Sequence, residues 1–84
     1  MKNCEIDSRG AGRFAAALEN AARRFCLKHP DEQWQISGVE NQEAGISLNA
    51  RNGGRSLVAK SLVPVLDMED YIFDELEKFR STNI

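Results

Sequence analysis

The sequence lacks a long apolar run and a surplus of charge of either sign. No stretch approaches the roughly 18 consecutive apolar residues that a membrane-spanning helix needs. The chain of 84 residues has 11 basic and 13 acidic side chains, a net charge of −2. No overall field therefore favours nucleic acid or an anionic membrane surface. We expect a protein without a membrane span and without a nucleic-acid partner.

Histidine and cysteine are also scarce, which limits the chemistry. The chain has one histidine, His29, and two cysteines, Cys4 and Cys26. The cysteines form neither a CxxC motif nor a zinc pattern, and both fall in segments predicted to face the core. This favours buried free thiols in a reducing cytoplasm over a disulfide. The first residues include no apolar segment of the secretory type, so we expect a cytoplasmic protein. No metal, cofactor or enzyme activity is expected, because no nucleophile–base pair can be named.

The length and composition predict one domain over residues 1–84, with a sheet covered by helices. The chain is 42% hydrophobic and can build one modest core. Apolar residues spaced three and four apart predict a helix from about residue 13, ended by Pro30. An apolar stripe predicts a last helix to about residue 80, with Asp67 as its N-cap. Period-two alternation predicts strands over 2–7, 33–39, 46–51 and 57–59.

The segment that follows the third predicted hairpin strand allows two interpretations. Ser61 caps a second helix with Pro64 in its first turn, or the chain stays extended to Leu66. The element order is therefore β-α-β-β-β/α-α. We expect an α/β (α+β) open-faced two-layer sandwich, with an antiparallel sheet of three or four strands and two or three helices on one face.

Two segments carry a family resemblance. Arg-Phe-Ala-Ala-Ala-Leu at 13–18, with the aromatic end of its helix, is similar to an Arg-Pro-Ala-Ala helix opening. Asn-Gly-Gly-Arg-Ser at 52–56 and Lys-Ser-Leu at 60–62 are similar to an Asn-Gly-Lys-Ser turn followed by a Lys-Ser-Leu helix start. Both patterns are those of HPr, the phosphocarrier family of the bacterial sugar phosphotransferase system, and this chain resembles it over about a third of its length.

The resemblance implies a phosphoacceptor histidine two residues before Arg13, where this sequence has Ala11. Alanine offers no nucleophile, so phosphotransfer at this position is excluded. Phe14 replaces the family's helix-opening proline. His29 is expected to be a solvated histidine at a helix end. The resemblance thus implies a non-catalytic HPr-like regulatory or protein-binding module with a protein partner.

Around Ala11, a helix N-terminus preceded by glycines can bind phosphate or carboxylate through its N–H groups. Flanking arginines can add bidentate contacts, although an ordinary helix entry with solvated arginines fits the same pattern. The candidate anion- or partner-binding residues are Arg9, Gly10, Gly12, Arg13 and Lys60.

Ser61 aligns with the serine that regulatory kinases phosphorylate in some HPr proteins, which makes it a candidate phosphorylation site; a plain capping or turn serine is the alternative.

A second function hypothesis concerns the acidic last helix. Such a helix can dock on a larger partner, and the chain then looks like the DNA-damage-inducible inhibitors of recombinase filaments. Trp34 is expected to pack in the core or to anchor an interface on the sheet.

Overall fold

The computed structural model describes residues 4–41, 45–53, 55–62 and 66–82, and every structural statement below concerns those residues. The predicted first strand, first helix, three hairpin strands and last helix are all present, and no helix lies between the last two among the described residues. In chain order the elements are β1 (Cys4–Asp7), a 3₁₀ helix (Arg9–Phe14), α1 (Ala15–Lys28), β2 (Trp34–Asn41), β3 (Gly45–Asn52), β4 (Arg55–Leu62) and α2 (Met68–Thr82).

The sheet has four strands in the order β1-β2-β3-β4. β2, β3 and β4 are antiparallel neighbours, as predicted, but β1 lies parallel to β2, with Cys4 opposite Trp34. The prediction of an antiparallel sheet is therefore wrong for its first pair. The reason is topological: α1 carries the chain back to the end where β1 began, so β2 starts there and runs in the same direction.

Both helices pack on one face of this sheet, so the expected two-layer sandwich is confirmed. One core cluster combines side chains of α1, α2, β2 and β3. The alternation along β2 and β3 sends these apolar side chains to the helix side and polar side chains to the other. No helix among the described residues is long and apolar enough to cross a membrane. The largest fully buried side chains are Phe25, Leu18, Ile36, Ile46, Leu48, Ile72 and Leu76.

β4 extends beyond its predicted bounds and includes Lys60 and Ser61. The hypothesis that Ser61 caps a second helix is therefore wrong, and the chain stays extended at least to Leu62. Pairing with β3 on both sides of these residues explains this choice: Ala59 lies opposite Leu48 and Leu62 opposite Ile46, with a register shift between the two pairs at Lys60 and Ser61. Residues 63–65, where the two interpretations also differed, lie outside the described part of the chain.

Cys4 and Cys26 form a disulfide, with an S–S distance of 2.06 Å. The prediction of two free thiols is therefore wrong. The last turn of α1 passes beside the start of β1 and places the two Cα atoms 6.1 Å apart, within the range that a disulfide spans. Disulfides persist mainly in oxidising compartments. The pairing therefore does not favour the cytoplasmic location expected from the sequence, which stays a prediction.

Candidate functional site

The predicted anion site lies where the 3₁₀ helix crosses the end of β2. A Cβ atom on Gly10 would lie 2.6 Å from the carbonyl oxygen of Gly38. Gly12 has a φ of 56°, and a Cβ there would overlap the carboxylate of Glu40. Only glycine combines this backbone conformation with so close an approach. The two glycines thus let the 3₁₀ helix lie against β2, with Ala11 fully buried between them.

A carboxylate of the protein itself occupies this amide-rich corner. The backbone N–H of Arg13 donates a hydrogen bond to Oε2 of Glu40 over 3.0 Å, and Nε of Arg13 lies 3.3 Å from Oε1 of Glu40. The arrangement is the one expected of an anion at a helix start, met by an amide and a guanidinium. An external phosphate would have to displace Glu40, and its binding at Arg13 stays a prediction.

Arg9 contacts a residue only two positions earlier in the chain. Its backbone N and its Nε each lie 3.2 Å from Oδ1 of Asp7 and donate hydrogen bonds to it. These bonds hold the pKa of Asp7 below its ordinary value. The Arg9 side chain is 92% exposed, so a partner can compete with Asp7 for the guanidinium. Of the predicted binding residues with described side chains, Arg9 is the most accessible cation.

Lys60 and Ser61 lie near the end of β4 rather than at the helix start that the HPr resemblance implies. β2 and β4 are both antiparallel to β3, so their last residues lie at the same end of the sheet. Ala11 packs against the last residues of β2 at that end. The backbone of Ser61 is therefore at the same end of the molecule as Ala11, with β3 between them. Phosphorylation of Ser61 and partner binding by Lys60 stay predictions.

The acidic side chains of α2 pair with basic side chains near the end of α1. Nη1 of Arg24 lies 2.7 Å from Glu69 and 2.8 Å from Asp70, and Nζ of Lys28 lies 2.6 Å from Glu77. The hydrogen bond from Arg24 lowers the pKa of Asp70. Three of the acidic side chains that suggested docking on a larger protein, Glu69, Asp70 and Glu77, thus join the two helices.

His29 is half-buried between the helices, with a side chain only 11% exposed. Its Nε2 lies 2.7 Å from Oε2 of Glu77, and its ring packs edge-on against Phe25. Burial raises the pKa of Glu77, but hydrogen bonds from Lys28 and His29 outweigh it, and the pKa is lower than usual. The prediction of a solvated histidine is wrong, because α2 covers this end of α1.

Trp34 belongs to the core and does not anchor an interface on the open side of the sheet. Its ring lies edge-on between Phe25 and Phe79, with centroids 4.8 and 5.8 Å away. Its Nε1 donates a hydrogen bond to Glu32 over 2.9 Å. Arg80 donates to both oxygens of Glu32 and lowers the pKa of that carboxyl. Of the two alternatives for Trp34, core packing is confirmed.

The sheet face opposite the helices is open and polar. The pairing register aligns its side chains in rows across three strands, because residues directly opposite each other share a face. A groove of about 820 Å³ lies over these strands and reaches Arg9 at its rim. The first row is Glu5, Gln35 and Arg51, and the second is Asp7, Ser37 and Asn49.

Glu5 and Arg51 are the distinctive members of this open face. Both are exposed, and neither has an ion pair within the described part of the chain. Gln35 lies between them, so their Cα atoms are two strand spacings apart, about 10 Å. Among the described residues, the open face therefore presents one charge of each sign without an ion pair across a polar row.

Sequence reasoning did not single out Glu5, Arg51 or Glu40. The alternation that identified the strands also assigns Glu5 and Arg51 to the side opposite the apolar residues, so a signal was present. The predicted strand ends at residue 39, whereas β2 continues through Glu40. Its contact with the 3₁₀ helix depends on packing between distant segments, which alternation does not report.

No group of three or more potential metal ligands occurs among the residues that the structure describes. No family model, curated protein or solved structure matches this chain. The surface of the molecule is therefore the basis for an argument about function.

Proposed function

We propose that this chain is a non-catalytic protein-binding module that meets its partner through the open face of the sheet. The observation that supports this proposal is the contrast between the two sides of the molecule. On the helix side, Arg24 and Lys28 of α1 pair with acidic side chains of α2. On the open face, Glu5 and Arg51 have no partner among the described residues and flank a polar row.

The chemistry of the open face suits another protein surface. Its charges of opposite sign, with an amide between them, can each be met by a side chain of the opposite charge. Protein interfaces combine such polar contacts with about one hydrogen bond per 100–200 Å². Charge complementarity across an interface fixes orientation and selects partners. The proposal therefore assigns Glu5 and Arg51 to partner selection and Gln35 to hydrogen bonding between them.

In a more specific form of this proposal, based on the HPr resemblance, the chain is an HPr-like regulator. Arg9 belongs both to the binding residues predicted from the sequence and to the rim of the groove on the open face. In this form, Ser61 is the control point, because a phosphate there adds negative charge at the same end of the sheet as Arg9 and Arg13, with β3 between them. Docking through α2 receives less support, because a partner would have to break the ion pairs that join α2 to α1.

Capture of binding proteins by matched variants tests the proposal. Immobilised wild-type chain, Arg51→Glu and Arg23→Glu would be exposed to the same native lysate, with bound proteins compared by quantitative mass spectrometry. Arg23 is a fair control, because it undergoes the same charge change on the exposed side of α1. We expect at least one protein to be lost with Arg51→Glu and retained with Arg23→Glu. Equal retention by both variants would contradict the open face as the binding surface.

The non-catalytic part of the proposal has its own test. Phosphoenolpyruvate and the general phosphotransferase enzyme I should leave the chain unlabelled, because Ala11 occupies the acceptor position. Acid-labile phosphate on His29 would show instead that the single histidine accepts a phosphoryl group, and the chain would then be a phosphocarrier.

A further inference from the structure

We infer that the partner of the open face is a second copy of this chain, which packs face to face to form a symmetric dimer. The inference rests on the proposed function, since it names the partner for the same surface. It follows from the positions of Glu5 and Arg51 on either side of Gln35 in one row across β1, β2 and β3.

We place a two-fold axis on the open side of the sheet, opposite β2 and parallel to the strands. About this axis, the row of one copy faces the same row of the second copy with opposite charges in contact. Rotation about such an axis places β1 of one copy over β3 of the other and leaves each row at its own level. Glu5 then lies over Arg51 of the second copy, and Arg51 lies over the second Glu5. One operation thereby forms two ion pairs and gives each of these charges a partner, which is the property of an isologous interface.

The remaining residues of the open face are compatible with this packing. On the axis, β2 lies over β2 of the second copy, so Gln35 meets Gln35 and can exchange amide hydrogen bonds. Val39, which points to the same side and is 56% exposed, meets Val39. In the second row, Asp7 lies over Asn49, an acceptor over a donor. Face-to-face sheets pack about 10 Å apart, a spacing that these side chains fill.

The size of the face sets the expected strength. Three overlapping strands offer roughly 14 by 25 Å, or about 350 Å² of flat surface from each copy. The total of about 700 Å² from both copies lies below the roughly 1,000 Å² of a stable interface, so the dimer should be weak and concentration-dependent. A rigid complementary row still gives it a defined orientation, because misaligned copies would place like charges together.

Charge reversal in single and mixed samples tests the dimer by sedimentation velocity, from low-micromolar to near-millimolar concentration. The wild type should shift from the mass of one 9.4 kDa chain towards twice that mass. Arg51→Glu alone and Glu5→Arg alone should each remain monomeric, because each places like charges opposite one another. An equimolar mixture of the two variants should restore the dimer, because every charge then meets its opposite. Arg23→Glu should behave as the wild type.

Gln35→Arg tests the position of the two-fold axis. On the two-fold axis, this change sets two arginines against each other, whereas a different partner meets only one. We expect it to abolish the dimer, and circular dichroism would verify that each variant is folded. A wild type that stays monomeric at every concentration would overturn the dimer. The proposed function would survive that result if Arg51→Glu still lost a captured protein. A dimer unaffected by all three variants would place self-association on another surface and also overturn this inference.

Discussion

Removal of the disulfide between Cys4 and Cys26 should cost this domain a large part of its stability. The bond closes a loop with a sequence separation of 22. In the chain-entropy relation, a loop of this length restricts the unfolded chain by about 11 cal/mol/K, or about 3 kcal/mol at room temperature. Small domains unfold with only about 5–15 kcal/mol in total. The melting temperature should therefore fall by roughly 12–24 °C.

The expected loss of stability has a structural reason besides loop closure. β1 has only four residues and a single neighbouring strand, and its first residue carries the bond to α1. An edge strand this short has few hydrogen bonds of its own, so the cross-link contributes much of its attachment. We expect the amides of β1 to lose protection from hydrogen exchange before those of β2 and β3.

Thermal and urea unfolding, followed by circular dichroism with and without a phosphine reductant, would measure this effect. The double variant Cys4→Ala, Cys26→Ala is the control, because reductant should not change its melting temperature. Its stability should approach that of the reduced wild type, apart from the side-chain volume lost at Cys26. A wild type with an unchanged melting temperature after complete reduction would refute the reasoning and remove the objection to a reducing compartment.

Three further perturbations test the packing and the charge pairs. Leu76→Ala should cost about 2–5 kcal/mol in urea unfolding, since Leu76 is fully buried; a loss below about 1 kcal/mol would contradict its place in the core. Gly12→Ala should destabilise more than Gly53→Ala, because both have positive φ but only Gly12 also meets the Glu40 carboxylate; equal losses would contradict that close approach. Glu32 has a lowered folded-state pKa, so it stabilises the fold above the ordinary carboxyl range and loses this contribution as the pH falls below about 4. Glu32→Gln should therefore lower stability at neutral pH and flatten the acid limb of a pH-stability profile, which a steeper limb would contradict.

The helices were predictable because their signals are local. Leu18 and Phe25 recur at helical spacing, and both are buried on the side of α1 that faces the protein core, as expected. The last helix was predicted from the same kind of stripe, and Asp67 does accept a hydrogen bond from the backbone N–H of Asp70. Each of these features depends on residues only a few positions apart.

The features that escaped prediction all depend on contacts between distant segments. The parallel pairing of β1 follows from the path of α1, and the disulfide follows from that pairing. Glu40 binds the start of a helix 27 residues earlier, which no local pattern indicates. In β4, a helix-start motif lies in a strand because the residues on either side of it, Ala59 and Leu62, pair with β3.

The position of Trp34 has a spectroscopic consequence. It is the only tryptophan in the chain, and it lies on β2 between a ring from α1 and a ring from α2. One fluorophore thus reports on the sheet and on both helices. If α2 detached while α1 stayed in place, tryptophan emission would shift to the red while most of the helical circular dichroism remained. Coincidence of the two signals during unfolding would therefore show that the layers separate in a single cooperative step.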